Sequence, residues 1–389
     1  MRFIHLADLH LGKRVHEFSL IEDQKHMLES VLDLCRTSRA DALVIAGDVY
    51  DRTIPSLEAI RLLETFLIGL TDQGCQVLMV AGNHDSGERL AFGRSFLSSQ
   101  GVHVAGVFEG QVEQANFETA AGPVTFHLLP FIRQADVRRF FPDREINSVE
   151  EAVQAALSTV RRGPGWNILV AHQFVTARGA RPLRSDSEVL QIGLADEIDA
   201  SLFDSFDYTA LGHLHGRQTV GSGSVHYAGS PLAYSFSEVA QEKGALVVDL
   251  TPEKEIRIRQ QPLASLHAMR RVRGSMEELL AEGNQLLAGG DPARLDYLEL
   301  TLTDPGVVTD PMNRLRAVYP NVMRLLFDRK ETGEVQDTLI EDSDFRSLGL
   351  LELFSRFFQE QTGRPLTPDQ ERIAGRAAAK AQGEEAGTS

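Results

Sequence analysis

Apolar residues in the first half of the chain fall into short continuous runs separated by longer stretches of helical periodicity. FIHLA (Phe3 to Ala7), ALVIAG (Ala42 to Gly47) and VLMVAG (Val77 to Gly82) each end at polar residues. Such runs mark strands covered on both faces. Between them, Met27, Leu28, Val31, Leu32 and Cys35 share a stripe, and a second runs from Ser56 through Ile60, Leu63 and Leu67. Both predict amphipathic helices. After Gly101, strand-like runs follow at Val104 to Val107, Val124 to Leu129, Asn167 to His172 and Tyr208 to His213, then at SVHYAG and ALVVDL. Ser148 and Glu151 have capping-box spacing for an intervening helix. The pattern predicts a layered α/β domain with strands of mixed direction over residues 1–265.

A smaller unit is expected over 266–332. Ser275 with Glu278 is a second capping box, Leu298, Leu300 and Leu302 alternate with polar residues, and Asp310-Pro311 is a helix start. The order reads strand, helix, strand, helix, strand, an α+β domain. Residues 330–337 are polar and aperiodic, a linker opening a 333–389 tail. There Leu348, Leu351, Phe354, Phe357 and Phe358 form one apolar helix face, broken at Gly363 and Pro365. A second helix begins with Thr367, Pro368 and Gln370, and the Ala-, Gly- and Glu-rich end frays.

Composition narrows the classes. The 389 residues exceed what one core usually serves, which favours two domains and an appendage. No apolar run approaches the roughly 20 residues of a membrane span, and Arg2, His5 and Asp8 interrupt any leader-like stretch, so a soluble, cytoplasmic protein is expected. Cys35 and Cys75 read as small buried hydrophobes. The net charge of −16 argues against a free-standing nucleic-acid binder, because phosphate neutralisation supplies much of such affinity.

The chemistry lies at strand ends. Asp8-Leu9-His10, Gly47-Asp48, Gly82-Asn83-His84-Asp85, His172, and Gly212-His213-Leu214-His215 each follow a buried run, and strand ends of open α/β sheets converge on one crevice. Singly, each is an ordinary loop composition. Together they supply carboxylate, imidazole and carboxamide without thiolate, a donor set for Mn²⁺, Fe or Zn rather than a structural zinc site. Asp48 lies centrally in the order and can bridge two ions through its two oxygens. Two divalent ions can activate water and clamp a phosphate. The two ions balance the negative charges of Asp8, Asp48, a hydroxide and a phosphodiester, so the acidic global charge is no local obstacle.

D-x-H, G-D, G-N-H-D, H and G-H-x-H in this order resemble the signature of the calcineurin-like metallophosphoesterases over residues 1 to about 260. HLADLHLGK, AGDVYD, AGNHDSGERL, ALGHLH and YAGSPLAYSF are similar, within that superfamily, to the bacterial SbcD nuclease family. The resemblance implies a sandwich of two mixed β-sheets flanked by helices, a small capping domain that selects DNA, and a helical tail. It implies one metal held by Asp8, His10, Asp48 and His215, and another by Asp48, Asn83, His172 and His213, with Mn²⁺ the expected ion. His84 is then the catalytic non-ligand histidine, acting on the leaving oxygen with its ring oriented by Asp85, a task that suits an imidazole. Asp51 stands where archaeal and eukaryotic relatives carry a second histidine.

Lys13, Arg14 and Arg89 are candidate phosphate contacts, and reading them as solvated charges is equally open. His5, His26, His103, His127, His226 and His267 match no motif. The resemblance further implies 3′ to 5′ exonuclease action on double-stranded ends and endonuclease action on single strands or hairpins. It also implies a nuclease homodimer through helices, with residues 24–36 or 90–99 as candidates, and docking of residues 338–381 on an SbcC-like coiled-coil ATPase in a heterotetramer. The alternatives are a small-molecule phosphodiesterase or phosphomonoesterase, which leaves the tail unexplained, and an inactive scaffold, which need not keep every ligand.

Overall fold

The computed structural model describes residues 1–177, 185–188, 197–328, 350–362 and 365–381. The expected linker at 330–337, Leu348, the break at Gly363 and the end of the tail after 381 lie outside the described residues. Two six-stranded sheets pack face to face. In spatial order the first contains Ile256–Pro262, Gly244–Leu250, Arg2–Leu6, Ala42–Ala46, Gln76–Val80 and Val102–Ala105, the last four mutually parallel. The second runs Gln218–Val220, Val225–Tyr227, Tyr208–Gly212, Trp166–His172, Gly122–Leu129 and Glu113–Thr119, with four parallel strands between two antiparallel edges.

Alternation along each strand explains the continuous apolar runs. Ala42, Val44 and Ala46 join Phe3, Leu78 and Val80 against Phe126, Val170 and Ala210 of the other sheet. Leu43 and Ile45 point the opposite way, into a core shared with the helices Ile21–Ser38 and Leu57–Asp72. Both faces are dry, so neither set of positions can be polar. Phe3 anchors the sandwich by edge-on contacts with Phe126 at 5.4 Å and Tyr208 at 5.5 Å.

The Leu57–Asp72 helix departs from its expected face. It buries Ala59, Leu63, Phe66 and Leu70, whereas Ile60 is exposed and Leu67 is half-buried. The apolar positions span more than one face of this helix, and a stripe drawn through Ile60 picks up residues that the core does not take. The strand expected at Val104 to Val107 is Val102–Ala105.

Met269–Gly274, Tyr297–Leu302 and Val322–Phe327 form a separate, wholly parallel three-stranded sheet. Helices Met276–Gly289 and Pro311–Arg316 cover it around Leu279, Leu298, Leu300 and Leu315. Ser275 and Glu278 form the capping box that starts the longer helix. Met269, Tyr297 and Met323 instead pack into the helix-flanked core of the large sandwich. In the tail, helices Leu350–Thr362 and Pro368–Ala381 pack on each other, and Thr367 and Gln370 make a reciprocal cap.

Candidate metal centre

The strands Arg2–Leu6, Ala42–Ala46, Gln76–Val80, Trp166–His172 and Tyr208–Gly212 deliver their carboxyl ends to one place. The backbone there is bent in an uncommon way. Asp8, His10, Asp48 and His213 have φ of 55°, 43°, 49° and 107°, a region that non-glycine residues visit sparingly and at a cost of about 1 to 3 kcal/mol each. Hydrogen bonds hold the bends: Asp8 N–H donates to Gly47 O at 3.0 Å and His10 N–H to Asp48 O at 2.9 Å. The strand-end glycines are required by close approach. A Cβ at Gly82 would lie 2.1 Å from Asp48 Oδ1, and one at Gly212 would lie 2.0 Å from Ala46 O and 2.8 Å from His172 Nδ1.

All seven expected metal ligands meet. His10 Nε2 lies 3.2 Å from His215 Nε2 and 3.6 Å from Asp48 Oδ2. On the other side of Asp48, His172 Nε2 is 3.4 Å from the same Oδ2, and Asn83 Oδ1 lies 3.0 Å from His172 Nε2 and 3.1 Å from His213 Nδ1. Donor atoms of Asp8, His10 and His215 lie within 4.8 Å of one another, as do those of Asp8, Asp48 and His172. Asp48 shares such a group with His10 and the half-buried His84 on one side and with Asp8 and His172 on the other, and so stands between two sets of donors.

The electrostatics fit cations. Burial pushes the Asp8 carboxyl up to about 7, and the neighbouring Asp48 carboxylate adds to that rise. Burial lowers His213 to about 3 and holds His10 well below the ordinary histidine range, so those rings are neutral donors. Burial also acts against a charged His172, but Asp48 overrides it and raises the ring to about 9. Two neighbouring buried carboxylates, Asp8 and Asp48, are costly without positive charge between them. The residues fit divalent ions.

Outer contacts fix which nitrogen faces inward. His172 Nδ1 donates to Ala46 O at 2.8 Å. His215 Nδ1 lies 2.8 Å from Ser187 Oγ and 3.4 Å from Glu238 Oε1. Glu238, fully buried, pairs with Lys243 Nζ at 2.6 Å, and Lys243 also donates to His215 O at 3.0 Å. The main chain around Asp8 and His10 is held by Gln24, whose Nε2 donates to His10 O at 2.7 Å and whose Oε1 accepts from Gly12 N–H at 2.9 Å. The preceding residue, Asp23, accepts from Tyr297 Oη at 2.7 Å and from His267 N–H at 2.9 Å in the small unit. Sequence reading missed Gln24, Ser187, Glu238 and Lys243. Glu238 and Lys243 follow the YAGSPLAYSF motif, but no local spacing marks them as partners of His215.

His84 adjoins the centre, its ring 4.8 Å from that of His10 and its N–H donating to Asp48 Oδ1 at 2.9 Å. The expectation that Asp85 orients this ring is corrected. The Asp85 carboxylate accepts the backbone N–H groups of Val49, Tyr50 and Gly82 at 3.0, 2.8 and 2.9 Å, which ties the Asp48 and Asn83 loops together and occupies its oxygens. His84 Nδ1 instead donates to Asp51 O at 3.0 Å. Asp51 also turns its carboxylate toward Lys13 Nζ at 2.7 Å and His10 Nδ1 at 3.6 Å. Lys13 is thus half-buried beside the centre, while Arg14 and Arg89 are exposed. Of the other histidines, His5 is a buried partner of Tyr208 Oη at 3.0 Å.

Residues 1–217 match the family model for calcineurin-like phosphoesterases, and residues 265–362 match one described as the type 5 capsule protein repressor C-terminal domain. The chain is 33% identical to the SbcD subunit of nuclease SbcCD from Staphylococcus epidermidis, over 85% of this chain and 87% of that one. It is 31% identical to the protein of the same name from Staphylococcus saprophyticus, over 95% and 96%. Among solved structures, a dimetal phosphatase from Danio rerio aligns with 68% of this chain and 97% of its own at 16% identity and a TM-score of 0.40. The chain belongs to the calcineurin-like phosphoesterases and, within them, to the family of the SbcD nuclease subunits.

Proposed function

We propose that this chain is the Mn²⁺-dependent nuclease subunit of an ATP-regulated complex, cutting DNA 3′ to 5′ from double-stranded ends and endonucleolytically at single strands or hairpins. The observation that carries the phosphodiesterase reading is Asp48 set between two sets of donors. In this reading Asp8, His10, Asp48 and His215 hold one ion, and Asp48, Asn83, His172 and His213 the other. When bound, the ions supply a nucleophile at neutral pH and neutralise the phosphate. The chain's own contribution is proton handling and positioning. With Nδ1 given to the Asp51 carbonyl, a protonated His84 has only Nε2–H to offer the leaving oxygen. Lys13, steadied by Asp51, is a candidate phosphate contact.

The partner is an SbcC-like coiled-coil ATPase, engaged by the tail. Phe354, Phe357 and Ile373 are 45%, 57% and 65% exposed on its two helices, an apolar face suited to a partner's groove. A nuclease homodimer is supported by Leu57, Phe92 and Phe96, which are 71%, 85% and 72% exposed. No helix among the described residues is long and apolar enough to cross a membrane. The deciding experiment is digestion of linear duplex DNA with Mn²⁺, with and without the co-purified ATPase and ATP. Shortening from 3′ ends supports the reading, and cleavage of free nucleotides alone supports the small-molecule alternative.

A further inference from the structure

The segment after the strand Gly122–Leu129 is unusual for so acidic a chain. Between Phe131 and Arg144 it carries Arg133, Arg138, Arg139 and Arg144, all exposed. Acidic residues outnumber basic ones 55 to 39 in the whole chain. Even so, none of these four arginines has an ion-pair partner among the described residues. Three of them lie over phenylalanine rings instead: Arg133 over Phe131 at 5.5 Å, Arg139 over Phe140 at 4.6 Å and Arg144 over Phe141 at 5.2 Å. Guanidinium groups held this way are weakly hydrated and flat; the one carboxylate bonded to Arg133, that of Asp136, accepts its main-chain N–H at 2.8 Å and not its guanidinium.

One end of the segment is built into the metal centre. Phe131 N–H donates to Ala81 O at 2.8 Å, immediately before the Gly82-Asn83 ligand loop. Ile132 O accepts from Gln173 Nε2 at 3.3 Å, immediately after ligand His172. The half-buried Phe131 ring meets the His172 ring edge-on at 6.4 Å. Arg133 on Phe131 is therefore a cation on an aromatic plate at the rim of the centre.

We infer that Phe131 and Arg133 form a platform for the nucleotide next to the scissile phosphate, binding a single-stranded end by base stacking and one phosphate contact. Stacking favours a base already freed from its duplex, since a paired base offers no open face. The inference deepens the nuclease reading and takes its ligand class from it.

The test is binding of a fluorescent oligothymidylate to the full-length protein in EDTA, read by anisotropy over a salt series, which needs no turnover. Phe131→Leu keeps the apolar bulk but removes the aromatic face; it is expected to weaken binding about tenfold with an unchanged salt slope. Arg133→Gln is expected to weaken binding and reduce the slope of log K against log salt by about 0.7, and Phe131→Tyr to restore affinity. Wild-type failure to bind, or both variants binding within about twofold of wild type, overturns the platform. So does polyglutamate competing as well as oligonucleotide, which would make the segment an acidic-peptide site. If binding behaves as expected and the wild type cleaves no DNA with Mn²⁺, the platform stands and the nuclease reading falls.

Discussion

The Nε2 atoms of His10 and His215 face each other across 3.2 Å, with both rings buried. Ser187 and Glu238 engage His215 Nδ1, which leaves its Nε2 turned toward that of His10, two donor atoms converging where one cation would sit. Chelation is therefore expected to destabilise the protein, because ions that bind only the folded state add about 2.7 kcal/mol at a free concentration one hundred times their dissociation constant. Thermal unfolding after EDTA should show a melting temperature several degrees lower, restored by Mn²⁺. A melting curve indifferent to metal would remove the two-ion assignment.

His84→Ala should keep both ions and lose about 10² to 10⁴ in turnover, the usual contribution of a positioned acid or base. Calorimetric Mn²⁺ titration separates the roles: a lost binding site would make His84 a ligand.

The contact of Gly212 with the opposite sheet predicts that Gly212→Ala costs about 1 to 3 kcal/mol, since the added methyl meets Ala46 O at 2.0 Å. The same methyl displaces His172, so metal affinity should fall with stability. Denaturant unfolding and metal titration together check this; normal values in both would show that the sheets can part locally.

The half-buried Lys243 pairs with the fully buried Glu238, whose carboxylate also faces His215. Lys243→Met leaves that charge unpaired and should cost about 3 to 5 kcal/mol. Glu238→Gln with Lys243→Met should recover much of the stability but not the orientation of His215. Chemical denaturation of the single and double variants, read beside Mn²⁺ affinity, tests the coupling.

Removal of residues 338–389 should spare hydrolysis of a simple phosphodiester and abolish association with the ATPase. Size-exclusion chromatography of the mixed subunits checks this, and co-elution of the truncated chain would place docking elsewhere.

Most strand positions and the gathering of the seven candidate donors were legible in the sequence because buried parallel strands write continuous apolar runs and the donor side chains follow them directly. Ser148 with Glu151 and Ser275 with Glu278 were legible because capping boxes are local. The face of the Leu57–Asp72 helix was not, since Leu57, Ile60 and Ile68 are apolar and exposed. The orienter of His84 was also hidden. It is the main-chain carbonyl of Asp51, and every residue has a carbonyl, so only the fold decides which one is near. Glu238 lies 23 residues from its imidazole partner and 51 from Ser187, beyond the reach of any local pattern.

The donors are dealt between the two halves of the sandwich: Asp8, His10, Asp48 and Asn83 follow strands of one sheet, and His172, His213 and His215 end or follow strands of the other. Asp8 and His213, like His10 and His215, are 205 positions apart. Closing so long a loop is slow and entropically uphill, so ion capture becomes a late event in folding and a gauge of whether the molecule is finished. A half-opened chain, or one cut short before His215, cannot assemble the full centre, which confines a DNA-cutting activity to molecules whose sandwich has closed.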